Sequence, residues 1–378
     1  MRVEKEVLRE AQRLIVRHEE HGRLLAEEYV RRKRRSTAPI PTTRLNRPAH
    51  WNADPGFDPY LTRARSSRIS HSIRDALRQR RYRPRHPYEW LLPKPDGSDR
   101  AICIYQVADR AISKMLYEGI LKKNLPIMSA RSYAYRSDLS SQNAIQYIQS
   151  EFRGKPRIYV AEYDFSRYFD RIDHDHIRRT LRNHFLLTQV EWQAIDAFLT
   201  TGPSPSANYE PVDGPLRLVG VPQGTSISLF LANVAAWELD RALEGEGVRF
   251  VRYADDTLIW SPDYARLCAA VELLHSHAGV IGASVNNEKS PGIHLLVAEG
   301  VRGEMATVHK IDYLGHQFTT TKTGLRESSE ARIKKRIDQL VFNALLREPQ
   351  RGTQNLNRVA ENVDRDYAVL ILRLRRYL

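Results

Sequence analysis

Phe250-Val251-Arg252-Tyr253-Ala254-Asp255-Asp256-Thr257-Leu258-Ile259-Trp260 decides how the chain is read. Two runs rich in β-branched and aromatic residues flank an Ala-Asp-Asp centre, the pattern of a hairpin over about 248–260. Adjacent carboxylates at such a turn repel one another unless a cation lies between them. An Asp-Asp turn is also ordinary solvated turn chemistry, so other residues must decide. The stretch Ile158-Tyr159-Val160-Ala161-Glu162-Tyr163-Asp164-Phe165-Ser166-Arg167-Tyr168-Phe169-Asp170 supplies one, an apolar strand ending in Asp164. An aspartate at a strand end facing the hairpin could share with Asp255 and Asp256 two divalent cations about 4 Å apart. Hard oxygen ligands suit magnesium. Glu162, Asp170, Asp173 and Asp175 are rivals, the last two also suited to starting the next helix. Gly220-Val221-Pro222-Gln223-Gly224-Thr225-Ser226-Ile227-Ser228 is a loop feeding an apolar helix. Gly224 lets the backbone approach a ligand and Gln223 offers amide donors and an acceptor, although an ordinary loop-to-helix junction looks the same.

Working outward, the periodicity predicts a long helix over 1–35 and an extended Pro-rich linker over 36–60. A basic helix over Ser72–Arg85 follows. Tyr88–Leu92 and Arg100–Ile104 make a hairpin through the turn Pro93-Lys94-Pro95-Asp96-Gly97, with cations at its tip. Beyond it come a helix over about 107–123, a strand over Arg157–Tyr163, and helices near 174–199, 226–243 and 264–278. A strand at Tyr313–Thr319 and a basic helical segment over about 328–378 complete the reading. This order indicates an α+β fold with an antiparallel sheet. The domains expected are 1–60 (basic helix and linker), 61–325 (core) and 326–378 (helical basic tail).

With 378 residues, 42% of them hydrophobic, the chain can bury a sizeable core, which excludes a disordered tail or a disulfide-stapled miniprotein. Cys103 and Cys268 stand apart with no spaced ligand partners, which argues against zinc and for a reducing compartment, the cytoplasm. No apolar run reaches the roughly 20 residues of a membrane span, and the N-terminus is charged and amphipathic, so a soluble protein is expected. The net charge of +14 is unevenly placed. Residues 1–100 hold 24 basic and 13 acidic residues and residues 331–378 hold 11 and 5, while acids slightly exceed bases between them. Basic ends around an acid-bearing centre suit a polyanion-binding protein with a metal site, or simply a well-solvated surface. The run Arg31-Arg32-Lys33-Arg34-Arg35 is either a docking site for nucleic acid or a partner helix, or a solvated helix end whose cations suit the dipole.

Taken together in this order, the strand-end Asp, the Pro-Gln-Gly loop and the Tyr-Ala-Asp-Asp hairpin resemble the reverse transcriptase family of right-hand polymerases, from about Leu91 to Leu325. The resemblance implies fingers and palm followed by a short helical thumb. It implies RNA-directed synthesis of DNA, by transfer of dNTPs to a primer 3′ end, with Asp164, Asp255, Asp256 and the Phe165 carbonyl holding two Mg2+ ions, or Mn2+ in their place. Leu92-Pro93-Lys94-Pro95-Asp96-Gly97-Ser98-Asp99-Arg100 looks like the fingers hairpin, so Lys94 and Arg100 would meet the triphosphate. Ser132-Tyr133-Ala134-Tyr135-Arg136 looks like the next template- or nucleotide-contacting segment, with Arg136 as a binding residue. Phe169 falls at the steric gate that crowds a ribose 2′-hydroxyl, and Gln223 and Gly224 lie along the nucleotide. Ile311-Asp312-Tyr313-Leu314-Gly315-His316 resembles the primer grip. Lys289, in Val285-Asn286-Asn287-Glu288-Lys289-Ser290, matches a lysine that protonates or balances pyrophosphate; an exposed loop lysine is the alternative.

Within the family, Leu229 after Ser228 departs from the Ser-Pro of intron enzymes, and Tyr147 stands where retron enzymes carry His. The chain is similar to compact bacterial reverse transcriptases of antiphage defence, including abortive-infection relatives. That similarity implies a structured non-coding RNA partner and homo-oligomerisation. The alternatives are a retron or intron-type enzyme, template-independent or protein-primed synthesis, and a non-catalytic RNA-binding scaffold.

Overall fold

Tyr88-Glu89-Trp90-Leu91-Leu92-Pro93 forms strand β1 (Tyr88–Pro93), which pairs antiparallel with β2 (Asp99–Ile104) across the expected tip. The computed structural model describes residues 3–94, 97–360 and 363–377; Pro95 and Asp96 of that turn lie outside the described residues. The third strand, β3 (Arg157–Ser166), is buried on both faces from Ile158 to Ala161, which suits its place inside a sheet. The other strands of its sheet are β4 (Arg249–Tyr253), β5 (Asp256–Ser261), β6 (Ser284–Val285), β7 (Gly292–Val297) and β8 (Thr307–Val308). Their order is β4-β5-β3-β7-β8, with β6 pairing the end of β3. All pairs are antiparallel except β7 with β8.

Helices bury the sheet. Tyr264–Ile281 lies against β3 and β5. Ser226–Ala235 is apolar nearly all round, as a helix in the middle of a core must be, and packs on Val107–Asn124. On the opposite side Ile145, Ile148 and Phe152 gather with Trp260, Tyr313 and Phe318. This is the α+β fold the sequence indicated.

Several expectations change in detail. The basic helix runs Ser66–Arg78 rather than 72–85, stopping before Arg80, whose φ of 55° is left-handed. The extended linker ends near Pro48, because Trp51 and Phe57 are buried with Tyr88 and form short 3-10 turns. The segments 174–199 and 226–243 each split into two helices, at 185–188 and at Ala236. The single strand at 313–319 is a hairpin of β9 (Ile311–Tyr313) and β10 (His316–Phe318), since Leu314 and Gly315 take φ of 48° and 76° and turn the chain. Helix Ser141–Phe152 and strand β7 were not anticipated.

Two compact units divide the chain. One comprises Met1–Gln12 with Pro48–Thr323, the other Arg13–Arg47 with Gly324–Leu378. In the second unit most of the arginine run is turned into the fold, and only Lys33 of it is exposed. Arg31 and Arg35 are only 7% and 3% exposed. Arg31 donates to the carbonyls of Asn343 and Ala344 at 2.8 and 3.1 Å, within a π-helical turn at Phe342–Leu346. Arg34 and Arg35 pair with Asp366 at 2.9 and 3.2 Å. No helix among the described residues is long and apolar enough to cross a membrane.

Candidate active site

The period of two along β3 puts Glu162 and Asp164 on one face, and the register sets Asp164 directly opposite Asp256. Tyr253 pairs with Asp256, so Ala254 and Asp255 form a two-residue loop. Ala254 closes it with a φ of 63°, which costs a residue with a Cβ about 1–2 kcal/mol. Burial, then the carboxylates of Glu162, Asp164 and Asp255, push the Asp256 carboxyl up to about 8. Asp255 is also raised, by burial first and then by Asp164. Lys289 answers part of this charge: its Nζ lies 3.0 Å from Asp164 Oδ2, a hydrogen bond that raises the lysine pKa.

Phe165 turns its ring away, buried and stacked on Tyr168 at 5.4 Å. The Asp164 N–H donates to Ser290 Oγ at 3.2 Å and its carbonyl accepts from Asn286 N–H at 2.8 Å. Successive carbonyls of a strand point to opposite edges, so that of Phe165 points toward the β5 side, where pairing has just ended at Asp164–Asp256. Crowded, half-buried carboxylates beside a carbonyl, all hard oxygens, fit divalent cations. Among the described residues no three His, Cys, Asp or Glu side chains converge tightly enough to hold an ion alone. Magnesium normally completes such a set with water and substrate phosphate oxygens.

Beside the β1–β2 hairpin, Arg100 Nε donates to Gln223 Oε1 at 2.7 Å, and Gln223 Nε2 donates to Asp170 Oδ1 at 3.0 Å. The Cys103 N–H donates to the Gln223 carbonyl at 2.6 Å. Gly224, at φ 119°, lies so close to β2 that a Cβ would sit 2.5 Å from the Cys103 carbonyl oxygen. The Phe169 ring is met edge-on by Tyr168 and by Tyr135, the latter at 6.2 Å and 84°. Asp173 caps the His174–His184 helix through the His176 N–H at 2.6 Å. Lys94 is exposed at the hairpin tip, which its backbone closes through Ser98 and Gly97. Arg136 is not brought to the cleft. Its side chain is 5% exposed and bonded to Asp138 and to the carbonyls of Ser129 and Ser132, so it braces its own loop.

Residues 92–318 match the family described as Reverse transcriptase (RNA-dependent DNA polymerase). The chain belongs to the reverse transcriptase family. This reverse transcriptase is 27% identical over 209 residues to Protein YkfC of Escherichia coli strain K12, covering 52% of this chain and 50% of that protein. It is 27% identical over 154 residues to an uncharacterized 91 kDa protein in a cob intron of Schizosaccharomyces pombe, covering 41% of this chain and 18% of the relative. The chain thus spans half or less of the length of these curated relatives. Among solved structures it is similar to telomerase from Candida albicans in complex with a TWJ fragment of telomeric RNA. The identity is 15% and the TM-score 0.48, over 81% of this chain and 57% of that one.

Other residues of this reverse transcriptase also hold the site. Tyr313 OH reaches the carbonyls of Asp256 at 2.9 Å and Val251 at 3.2 Å, tying the 311–318 hairpin to the base of the Asp-Asp turn. Arg252, inside the opening stretch, faces inward onto Asp240. Its one sequence signal is a cation amid the buried residues of an apolar strand.

Proposed function

We propose that this protein is an RNA-directed DNA polymerase that extends a primer 3′ end with dNTPs by two-metal phosphoryl transfer. The observation that carries this is the cross-strand pair Asp164–Asp256 beside Asp255 in a strained two-residue turn. Asp164, Asp255, Asp256 and the Phe165 carbonyl would hold two Mg2+ or Mn2+ ions, which when bound supply an acidified primer hydroxyl and neutralise the leaving pyrophosphate. Lys289, at present on Asp164, has a raised pKa and so carries a proton that it can hold toward pyrophosphate. Arg100 is aimed by the amide of Gln223, itself oriented by Asp170, and with Lys94 would take the triphosphate. Gln223 and Gly224 line the nucleotide, and Phe169 crowds a ribose 2′-hydroxyl. Arg136 supports the Tyr135 loop.

In domain terms, residues 61–325 are fingers and palm, 326–378 a short thumb or tail, and 1–60 a basic N-terminal segment. The basic surplus at both ends of the chain supports RNA as partner, specifically a structured non-coding RNA that supplies template or primer. The setting proposed is antiphage defence in the cytoplasm, with homo-oligomerisation.

The test is extension of a primed RNA template with dNTPs and Mg2+, together with sequencing of co-purified nucleic acid, for wild type and Asp255→Asn. Expected are synthesis by wild type only, nearly equal RNA binding, one discrete RNA in both samples and DNA in wild type alone. Synthesis by the variant sinks the metal assignment. Random RNA with no variant-dependent DNA favours a non-catalytic scaffold.

A further inference from the structure

Beneath the Asp-Asp turn lies a buried ion pair that none of the roles above employs. Arg252 and Asp240 are 0% and 1% exposed. Their contact is bidentate, Nε to Oδ1 and Nη2 to Oδ2, both at 2.7 Å. The remaining donors go elsewhere. Nη1 reaches the Ala254 carbonyl at 2.9 Å and Asn233 Oδ1 at 3.3 Å, and Nη2 also reaches Ser132 Oγ at 2.8 Å. A guanidinium has five N–H donors, and here each of them has an acceptor. Buried ion pairs are weak devices for stability, since apolar residues of the same volume often serve as well or better. The identity of the acceptors points to another purpose.

Ala254 is the left-handed residue of the turn that carries Asp255, and a donor on its carbonyl favours that orientation of the peptide plane. Ser132 and Asn233, both buried, link the guanidinium to the segment that carries Tyr135. Asn233 Nδ2 donates to the Ala134 carbonyl at 2.8 Å, one residue before Tyr135, whose ring packs on Phe169. The Arg252 backbone is stitched to the same segment, its N–H donating to the Arg131 carbonyl and its carbonyl accepting from the Tyr133 N–H, each at 2.9 Å.

We propose that Arg252 is a positioning residue whose single guanidinium fixes the Asp255 turn and the Tyr135 wall of Phe169 together, so that metal occupancy and sugar selection depend on one buried group. The proposal rests on the polymerase reading above. Lysine, with three donors on one nitrogen, keeps the charge but cannot span Asp240, Ala254 and Ser132 at once.

The test measures DNA synthesis against Mg2+ concentration, the ratio of kcat/KM for ribo- over deoxyribonucleotides, and melting temperature, for wild type and five variants. Arg252→Lys is expected to lower kcat about 100-fold, as misplacement of a reacting group by about 1 Å does. It should also raise the half-saturating Mg2+ and the ribonucleotide ratio. Ser132→Ala, which spares the Ala254 contact, should raise the ribonucleotide ratio and leave the Mg2+ dependence in place. In an Ala254→Gly background Arg252→Lys should cost less kcat than in wild type, because glycine takes the positive φ without help. Asp240→Asn, which keeps an acceptor for Nε, should fall between wild type and Arg252→Lys on both readouts. A folded Arg252→Lys protein with lower melting temperature but unchanged Mg2+ dependence and sugar ratio makes the ion pair merely structural and overturns the proposal. Should Arg252→Lys not fold, Ser132→Ala decides, and an unchanged sugar ratio overturns it. A wild type that makes no DNA overturns the polymerase reading, whereas an active wild type with unmoved variants overturns this inference alone.

Discussion

Phe169 is braced at nearly right angles by Tyr168 and Tyr135, and Tyr168 is itself anchored by its hydroxyl on the Ala232 carbonyl at 2.6 Å. A ring fixed from two sides cannot swing away from a substituent placed against it. Phe169→Val should therefore raise the ribonucleotide over deoxyribonucleotide ratio of kcat/KM, by about 10- to 200-fold, the range that small changes of pocket volume command. Single-nucleotide insertion with both sugars checks this, and an unchanged ratio would remove Phe169 from sugar selection. Asp164, Asp255 and Asp256 were legible because a strand end and a hairpin turn are local patterns, and the register then does the rest. Arg252 was not, because Ser132, Asn233 and Asp240 approach it from elements that no local period connects. Arg136 shows the converse, since its charge is plain in the sequence while its direction depends on Asp138 and two carbonyls.

Among the elements, strong periods and marked turns were readable, and short apolar runs were not. The hairpin of β1 and β2 and the long helix Val3–Arg35 follow the sequence closely. Strand β7 has an apolar run too short to separate strand from helix by period. Ser141–Phe152 did carry a signal, the reciprocal cap of Ser140 and Asn143, ahead of Ile145, Ile148 and Phe152. At the start of Val107–Asn124, Asp109 accepts from Tyr82 OH at 2.7 Å and Arg85 N–H at 3.0 Å. Burial nevertheless pushes its carboxyl up to about 6 from 3.8. A raised folded pKa contributes stability that is full below the unfolded value and lost as pH rises through the folded one. Asp109→Asn removes that dependence, so the variant should gain on wild type between about pH 4 and pH 6, by about 3 kcal/mol in all, and stay level above. Denaturant unfolding across this range checks it; a difference constant with pH would mean that Asp109 titrates alike folded and unfolded.

For the whole molecule, charge is the property that sequence states most openly and locates least well. The net +14 includes cations consumed inside the fold, among them Arg31, Arg35 and the fully buried Arg252. In the second unit, Arg34 and Arg35 converge on the buried Asp366, so their loss should lower the unfolding midpoint rather than weaken RNA in particular. Arg332, Lys335 and Arg376 of the same unit are exposed. Cations on a solvated surface act on nucleic acid mainly by releasing counterions from phosphates, a term that salt erodes. Combined Arg332→Gln, Lys335→Gln and Arg376→Gln should therefore leave melting nearly unchanged and weaken RNA binding uniformly across sequences. The slope of log affinity against log salt should become shallower by about 0.7 for each single-strand phosphate that is no longer neutralised, or about 2 for the three. Arg35→Gln should do the reverse, shifting the melt and sparing the slope in the protein that remains folded. Filter binding from about 50 to 200 mM salt beside thermal melts separates the two classes. An unaltered slope in the triple variant would place the RNA on other cations of the chain.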